Sequence, residues 1–346
     1  MKRRIRRFLY ALLGIVLFIL ALRLLQKGAG SLAPFLHSLT VGSVWSALGL
    51  GWLMAYLILS GSPVAAVALT LYGGHVLSDI ETFGMITGSR LGASFVVLFV
   101  GFVYYLRGQR RIASVSIGVL TFLVTTTIYL PAMALGYAVL TSGMLDGVRL
   151  GALGPLHSLL DGVFGPLVLA LTGSLPRGVV FLLGMGVLIC SFRIFDRALP
   201  QVERGSSRVS GIADFVYRPA VMFLAGMAVT AVTLSVSVSL TILVPLSAKG
   251  YVRRENIIPY IMGANITTFV DTLAASLLIN EPRAFVIVLT EMLCVSFFSL
   301  LTILFFYGRY QRLVEWLTER ITRRTRYLVL FLIGVLIVPI ALLRLA

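Results

Sequence analysis

Cysteine, histidine and acidic side chains are all scarce in this 346-residue chain. Its two cysteines, Cys190 and Cys294, lie inside apolar runs without metal-ligand spacing, which excludes a disulfide framework and a zinc site. Three histidines leave one suggestive pair, His157 with Asp161 four residues on, and no Gly-x-Ser-x-Gly or His-Glu-x-x-His pattern accompanies it. An intramembrane enzyme is therefore the weaker reading, and the chain is read as a non-enzyme. Charged residues make up 12% against 59% hydrophobic, with a mean hydropathy of +1.00, so a soluble multi-domain enzyme is excluded. What the chain has in abundance is long apolar runs, and these define an all-α polytopic membrane protein.

The formal charge of +16 comes from 29 Lys and Arg against 13 Asp and Glu. Of the basic residues, 21 fall in five places: 2–7, 107–111, 193–208, 249–254 and 309–326. No segment between apolar runs is long enough to fold them into one basic surface, which argues against a nucleic-acid partner. By the positive-inside rule all five are cytoplasmic, whereas 74–81 (Asp79, Glu81), 143–148 (Asp146) and 280–283 (Glu281) fall outside. Residues 8–25 could serve as a signal-peptide apolar region, but the topology requires a retained first helix and a cytoplasmic N-terminus in a plasma-membrane protein.

Two runs are awkwardly long. Residues 44–73 would span ~45 Å as one helix, which overshoots ~30 Å of hydrocarbon. Ser60-Gly61-Ser62-Pro63 interrupts the run, with a serine placed as N-cap and a proline at the first helical position. Two arms too short to cross make a re-entrant hairpin. Residues 215–248 repeat this pattern around Ser235-Val236-Ser237-Val238-Ser239, and an interrupted helix follows each hairpin, at Gly88–Gly92 and at Gly263–Thr268. The two regions align without a gap at an offset of 175, pairing Gly51 with Gly226 and Gly88 with Gly263. Their equivalent loops, 74–81 and 249–256, carry opposite charge, as inverted repeats require. The expected organisation is one transport domain: a first repeat over 1–142, an interfacial connection over 143–175 and a second repeat over 176–346, with Pro131, Gly136, Gly147, Gly151, Gly154 and Pro155 disturbing the apolar pattern across 131–175.

Irregular backbone at membrane depth must be satisfied by protein or water, so converging breaks imply an internal polar site. Helix starts at the hairpin tips offer N–H groups and positive dipole to an anion. Ser60, Ser62, Ser235 and Ser237 add hydroxyls; Asn265, Thr267 and Thr268 add amide and hydroxyl groups. Arg90, about 15 Å into its helix, is a fixed cation suited to an anionic substrate and reads equally well as the structural partner of Asp271. Ser239, Asn265 and Asp271 are candidate Na⁺ ligands. Glu291, also within an apolar run, is less informative.

Leu234-Ser235-Val236-Ser237 followed by Gly263-Ala264-Asn265-Ile266-Thr267-Thr268 resembles the Na⁺/phosphate cotransporter family, whose repeats each carry a Gln-Ser-Ser-Ser tip and then Gly-Ala-Asn-Ile-Gly-Thr-Thr. The first repeat, with Leu59-Ser60-Gly61-Ser62 and Gly88-Ser89-Arg90-Leu91-Gly92-Ala93, is a degraded match. Leucine replaces both tip glutamines, the middle serine of each tip is lost, and Arg90 replaces the first asparagine. The resemblance covers roughly 44–106 and 215–300, with no appended soluble regulatory domain. It implies Na⁺-coupled symport of inorganic phosphate, with Na⁺ as coupling ion, no other cofactor, the lipid bilayer as surroundings and a homo-oligomer left open. The alternatives are another oxyanion or carboxylate as cargo, or a structural membrane protein without transport.

Overall fold

A computed structural model describes residues 2–38, 41–106, 111–148, 154–173, 175–198, 218–233, 235–241, 243, 254–279 and 281–345. The basic stretches 107–110, 199–217 and 244–253 lie outside the described residues, as do the side chains of Ser237 and His157. Among the described residues every regular element is helical, and seven helices are long and apolar enough to cross a membrane. The chain is thus an all-α membrane-embedded protein.

The first helix, α1 (Lys2–Gly28), continues the basic cluster straight into the apolar run, and short α2 (Ala33–Ser38) follows. The first awkward run does break: α3 (Val44–Ile58) and α4 (Ser62–Gly73) have 15 and 12 residues, or ~22 and ~18 Å, and neither crosses alone. The break is made differently from the expectation. Gly61 is the N-cap without a side-chain bond, Ser62 is already helical ahead of Pro63, and Leu59 turns the chain by adopting a left-handed φ of 56°.

Two expected interruptions are absent. Helix α5 (Asp79–Leu106) runs unbroken through Gly88–Gly92, and α6 (Arg111–Ser142) runs unbroken through Pro131. Glycines 88 and 92 serve packing instead: a side chain at Gly88 would overlap the Leu48 carbonyl, and one at Gly92 would meet Trp52 and Ala55. Small residues let two membrane helices approach this closely. A proline within a membrane helix is tolerated because neighbours re-satisfy the freed carbonyl. Asp79 itself follows a capping pair in which the Ser78 backbone N–H donates to Glu81 at 2.8 Å and the Glu81 N–H donates back to Ser78 Oγ at 3.3 Å.

Helix α7 (Gly154–Thr172) falls in the connection and is tied to α1 by an Arg23–Asp161 ion pair of 3.0 Å. Helix α8 (Arg177–Ala198) lies antiparallel against α1, with Gly184 at Leu25, Gly28 at Phe181, and Ser191 Oγ donating to the Gly14 carbonyl at 2.8 Å. The second awkward run gives α9 (Pro219–Thr233) and short α10 (Val236–Thr241). Next, α11 (Arg254–Thr267) and α12 (Phe269–Leu278) are separated at Thr268 by a mild departure from helical geometry. Helix α13 (Pro282–Leu301) passes through a π turn at Thr302–Phe306 into α14 (Tyr307–Arg323), and α15 (Thr325–Leu343) ends the described structure.

One packing unit occurs twice. A Cβ at Gly51 would overlap the Met85 carbonyl, and one at Gly226 would overlap the Tyr260 carbonyl. Gly88 meets Leu48 and Gly263 meets Phe223 in the same way. Each member of the second crossing is the corresponding member of the first plus 175, so the shared letters encode a shared contact. The second arms then cross over: α4 packs on α12, and α10 packs on α5.

Three acidic connections meet at one end of the molecule. Arg283 pairs with Asp79 at 3.0 Å and with Asp146 at 2.8 Å, and His75 approaches Glu281 at 3.8 Å. That end starts α5 and α13 and sets the depth of everything on them.

Candidate functional site

Depth follows from helical rise. Arg90 lies 11 residues into α5, roughly 17 Å from the Arg283 end, and Glu291 lies 9 residues into α13, roughly 13 Å from it. Asp271, 7 residues before the end of α12, is at similar depth, roughly 11 Å. In a ~30 Å hydrocarbon slab these three charges occupy its middle third.

They form one cluster. Arg90 is 2% exposed and reaches from α5 to α12: Nη1 donates to Thr268 Oγ1 at 3.2 Å, Nη2 donates to Thr272 Oγ1, and Nη2 stands 3.9 Å from Asp271 Oδ1. The guanidinium also lies over the Phe269 ring, 4.9 Å from its centroid. Thr272 in turn donates to Asp271 Oδ1 at 2.9 Å, and the Ser62 hydroxyl lies against the same carboxylate. Attraction across the pair is roughly 4 kcal/mol at an effective dielectric of 20, before desolvation is subtracted.

Asn265 sits beside this cluster and is held by α6. Its Nδ2 donates to Thr125 Oγ1 at 3.2 Å, and its carbonyl accepts from the Tyr129 hydroxyl at 3.1 Å. Thr267 turns its hydroxyl back to the Gly263 carbonyl at 3.2 Å, the bland use of a helical threonine. Ser239 belongs to a second, smaller cluster: it accepts from Thr230 Oγ1 at 2.8 Å and shares a 2.9 Å bond with the Tyr260 hydroxyl. Ser60 and Ser235 are partly exposed in the two breaks, where the Ser235 carbonyl caps Thr233.

Of the residues singled out from sequence, Ser62, Arg90, Thr268 and Asp271 are thus brought into direct contact, with Asn265 adjacent through α6. Ser239 and Thr267 bond elsewhere, and the side chain of Ser237 lies outside the described residues. Sequence reasoning passed over Thr87, Thr125, Tyr129 and Thr272, all of which bond within this region or face it. Thr87 stands three residues before Arg90 on one helical face, and Thr272 adjoins Asp271, so spacing around the two charges would have found both. The two remaining residues come from α6, which carries no motif.

Glu291 proves to be part of the same region. It is 1% exposed, it lies within hydrogen-bonding reach of Thr87 and within electrostatic reach of Arg90, and among the described residues no group is placed to donate a well-formed hydrogen bond to either oxygen. Arg90, Thr268, Thr272 and Glu291 are buried, with Asp271 slightly more exposed, and the cluster forms a charged, hydroxyl-rich joint between α5 and α12 with α13 alongside. Comparison of the chain with protein-family models, curated proteins and solved structures finds no match. The class defined by fold and site is therefore an all-α membrane protein with buried charge at mid-depth.

Proposed function

We propose that the protein is a secondary active transporter that carries inorganic phosphate with Na⁺ by alternating access between two inverted repeats. The observation that carries this reading is the Arg90 cluster, a buried arginine among hydroxyls at the depth where substrate sites of repeat-built transporters lie. Two packing facts support the repeats. The glycine crossings recur at an offset of 175, and the equivalent helices α1 and α8 run antiparallel. Arg90 is paired in the closed state, so an anion engages it by displacing Asp271, with Ser62, Thr268 and Asn265 supplying hydroxyl and amide donors and the tips at Ser60, Ser235 and Ser237 closing over it. Na⁺ then draws on the oxygens of Asp271 and Asn265. The membrane is the plasma membrane, with the N-terminus inside.

Na⁺-dependent uptake of labelled phosphate into proteoliposomes tests it. Arg90→Ala and Ser237→Ala each abolish uptake; uptake indifferent to both substitutions overturns the reading. A different oxyanion or a carboxylate is the second cargo, favoured by the leucines at both tips, and competition by sulfate, arsenate and dicarboxylates separates the two.

A further inference from the structure

Charge balance in the cluster is incomplete. Asp271 and Glu291 supply two carboxylates at mid-depth, and Arg90 supplies one cation, which stands 3.9 Å from Asp271 and is bound to Thr268 and Thr272 of the same segment. Glu291, 1% exposed, has among the described residues no well-formed hydrogen-bond donor on either oxygen. An ionised carboxylate in that condition costs many kcal/mol and does not persist bare.

The hydroxyls around it make matters worse for a bare anion. Thr87 commits its proton to the Phe83 carbonyl at 3.0 Å, Thr290 to Val286 at 2.7 Å, and Tyr129 to Asn265 at 3.1 Å. Thr87 comes within hydrogen-bonding reach of Glu291, and with its own proton on the Phe83 carbonyl it meets that carboxyl as an acceptor, a contact that a proton or small cation between the two oxygens makes attractive. The charged and titratable groups facing Glu291 are Arg90 from α5, Tyr129 from α6 and Cys294 on its own helix. Asp271 of α12 lies across Arg90, α11 presents Tyr260, which is bonded to Ser239, and α4 presents Tyr72 beside Asp79 at the far end. None of these supplies the missing donor.

We infer that Glu291, with Thr87, is the seat of a small monovalent cation, H⁺ or Na⁺, and that its occupancy governs Arg90. With the cation bound, Glu291 no longer competes for the guanidinium, and Arg90 is balanced by Asp271 alone and can be drawn off by an anion. With the cation gone, Glu291 and Asp271 together hold Arg90 and repel an anion. This rests on the transport reading for its consequence, but the site itself does not.

Infrared difference spectra of the purified protein in lipid test it. The wild type shows a protonated-carboxyl absorption that is lost on raising pH if the cation is H⁺, or a carboxylate band that shifts when NaCl replaces choline chloride at fixed pH if it is Na⁺. Glu291→Gln removes the response, and Thr87→Val weakens the apparent cation affinity by roughly tenfold, the size expected from losing one oxygen partner. Responses to pH and Na⁺ that are the same in wild type and Glu291→Gln overturn the inference. If Glu291→Gln does not fold, an unaltered response in Thr87→Val overturns it. Loss of all phosphate uptake with this signal intact removes the cargo reading alone; phosphate uptake that keeps its full cation dependence in Glu291→Gln removes this inference alone.

Discussion

Arg90 and Asp271 illustrate how a buried pair constrains both partners. Removing one leaves the other charged, desolvated and unpaired, so Asp271→Ala should lower stability by about 3 to 5 kcal/mol, whereas Arg90→Met with Asp271→Leu should recover most of it. Thermal unfolding of the purified single and double variants checks this, and equal losses in both would count against the pair as a unit. At Leu59 a left-handed backbone is imposed on a branched side chain, at a cost of roughly 1 to 2 kcal/mol. Leu59→Gly should relieve about 1 kcal/mol of that and raise the unfolding temperature. Position 59 thus has a conformational demand that the apolar lettering of the run hides.

Among the elements, glycine is the residue whose meaning changed most. Gly88–Gly92 reads in sequence as a break, yet α5 passes through it and uses the glycines to admit α3. Propensity and proline or glycine content describe a helix in isolation, whereas in a membrane the partner surface decides whether a small residue is a flaw or a contact. Gly226→Leu should therefore collapse the yield of monodisperse protein in size-exclusion chromatography, through overpacking of at least 1 to 3 kcal/mol. Gly308→Leu, where open space surrounds the Cβ position, should leave the yield unchanged. Helix α14 shows the converse. Its exposed Leu313 and Trp316 among Arg309, Arg312, Arg320 and Arg323 follow the pattern of an interfacial helix, which explains why the continuous run from Pro282 to Arg323 need not cross the bilayer throughout its 42 residues.

For the whole molecule, the Arg283 cluster fixes which connections share a side. Single cysteines introduced at Ser78 and at Met144, with Cys190 and Cys294 replaced by serine, should react with a membrane-impermeant maleimide from the same side, and a cysteine at Arg312 from the opposite one. Reaction of the first two from different faces would contradict the shared end. Because Arg283 and Asp146 are each half exposed, Arg283→Ala should cost no more than about 1 kcal/mol, read as a small drop in unfolding temperature that salt diminishes. Membrane class, the two split runs and the three gathered acidic loops were legible in the amino-acid sequence, because apolar length, turn residues and charge sign act locally or along a single axis. The offset of 175 was legible too, as letters without contacts. Which helix stands opposite Arg90, why Gly88 is small, and the stranding of Glu291 between committed hydroxyls are decided by tertiary packing alone, since each depends on a different helix, 40 positions away for Gly88 and Leu48 and 178 for Arg90 and Thr268.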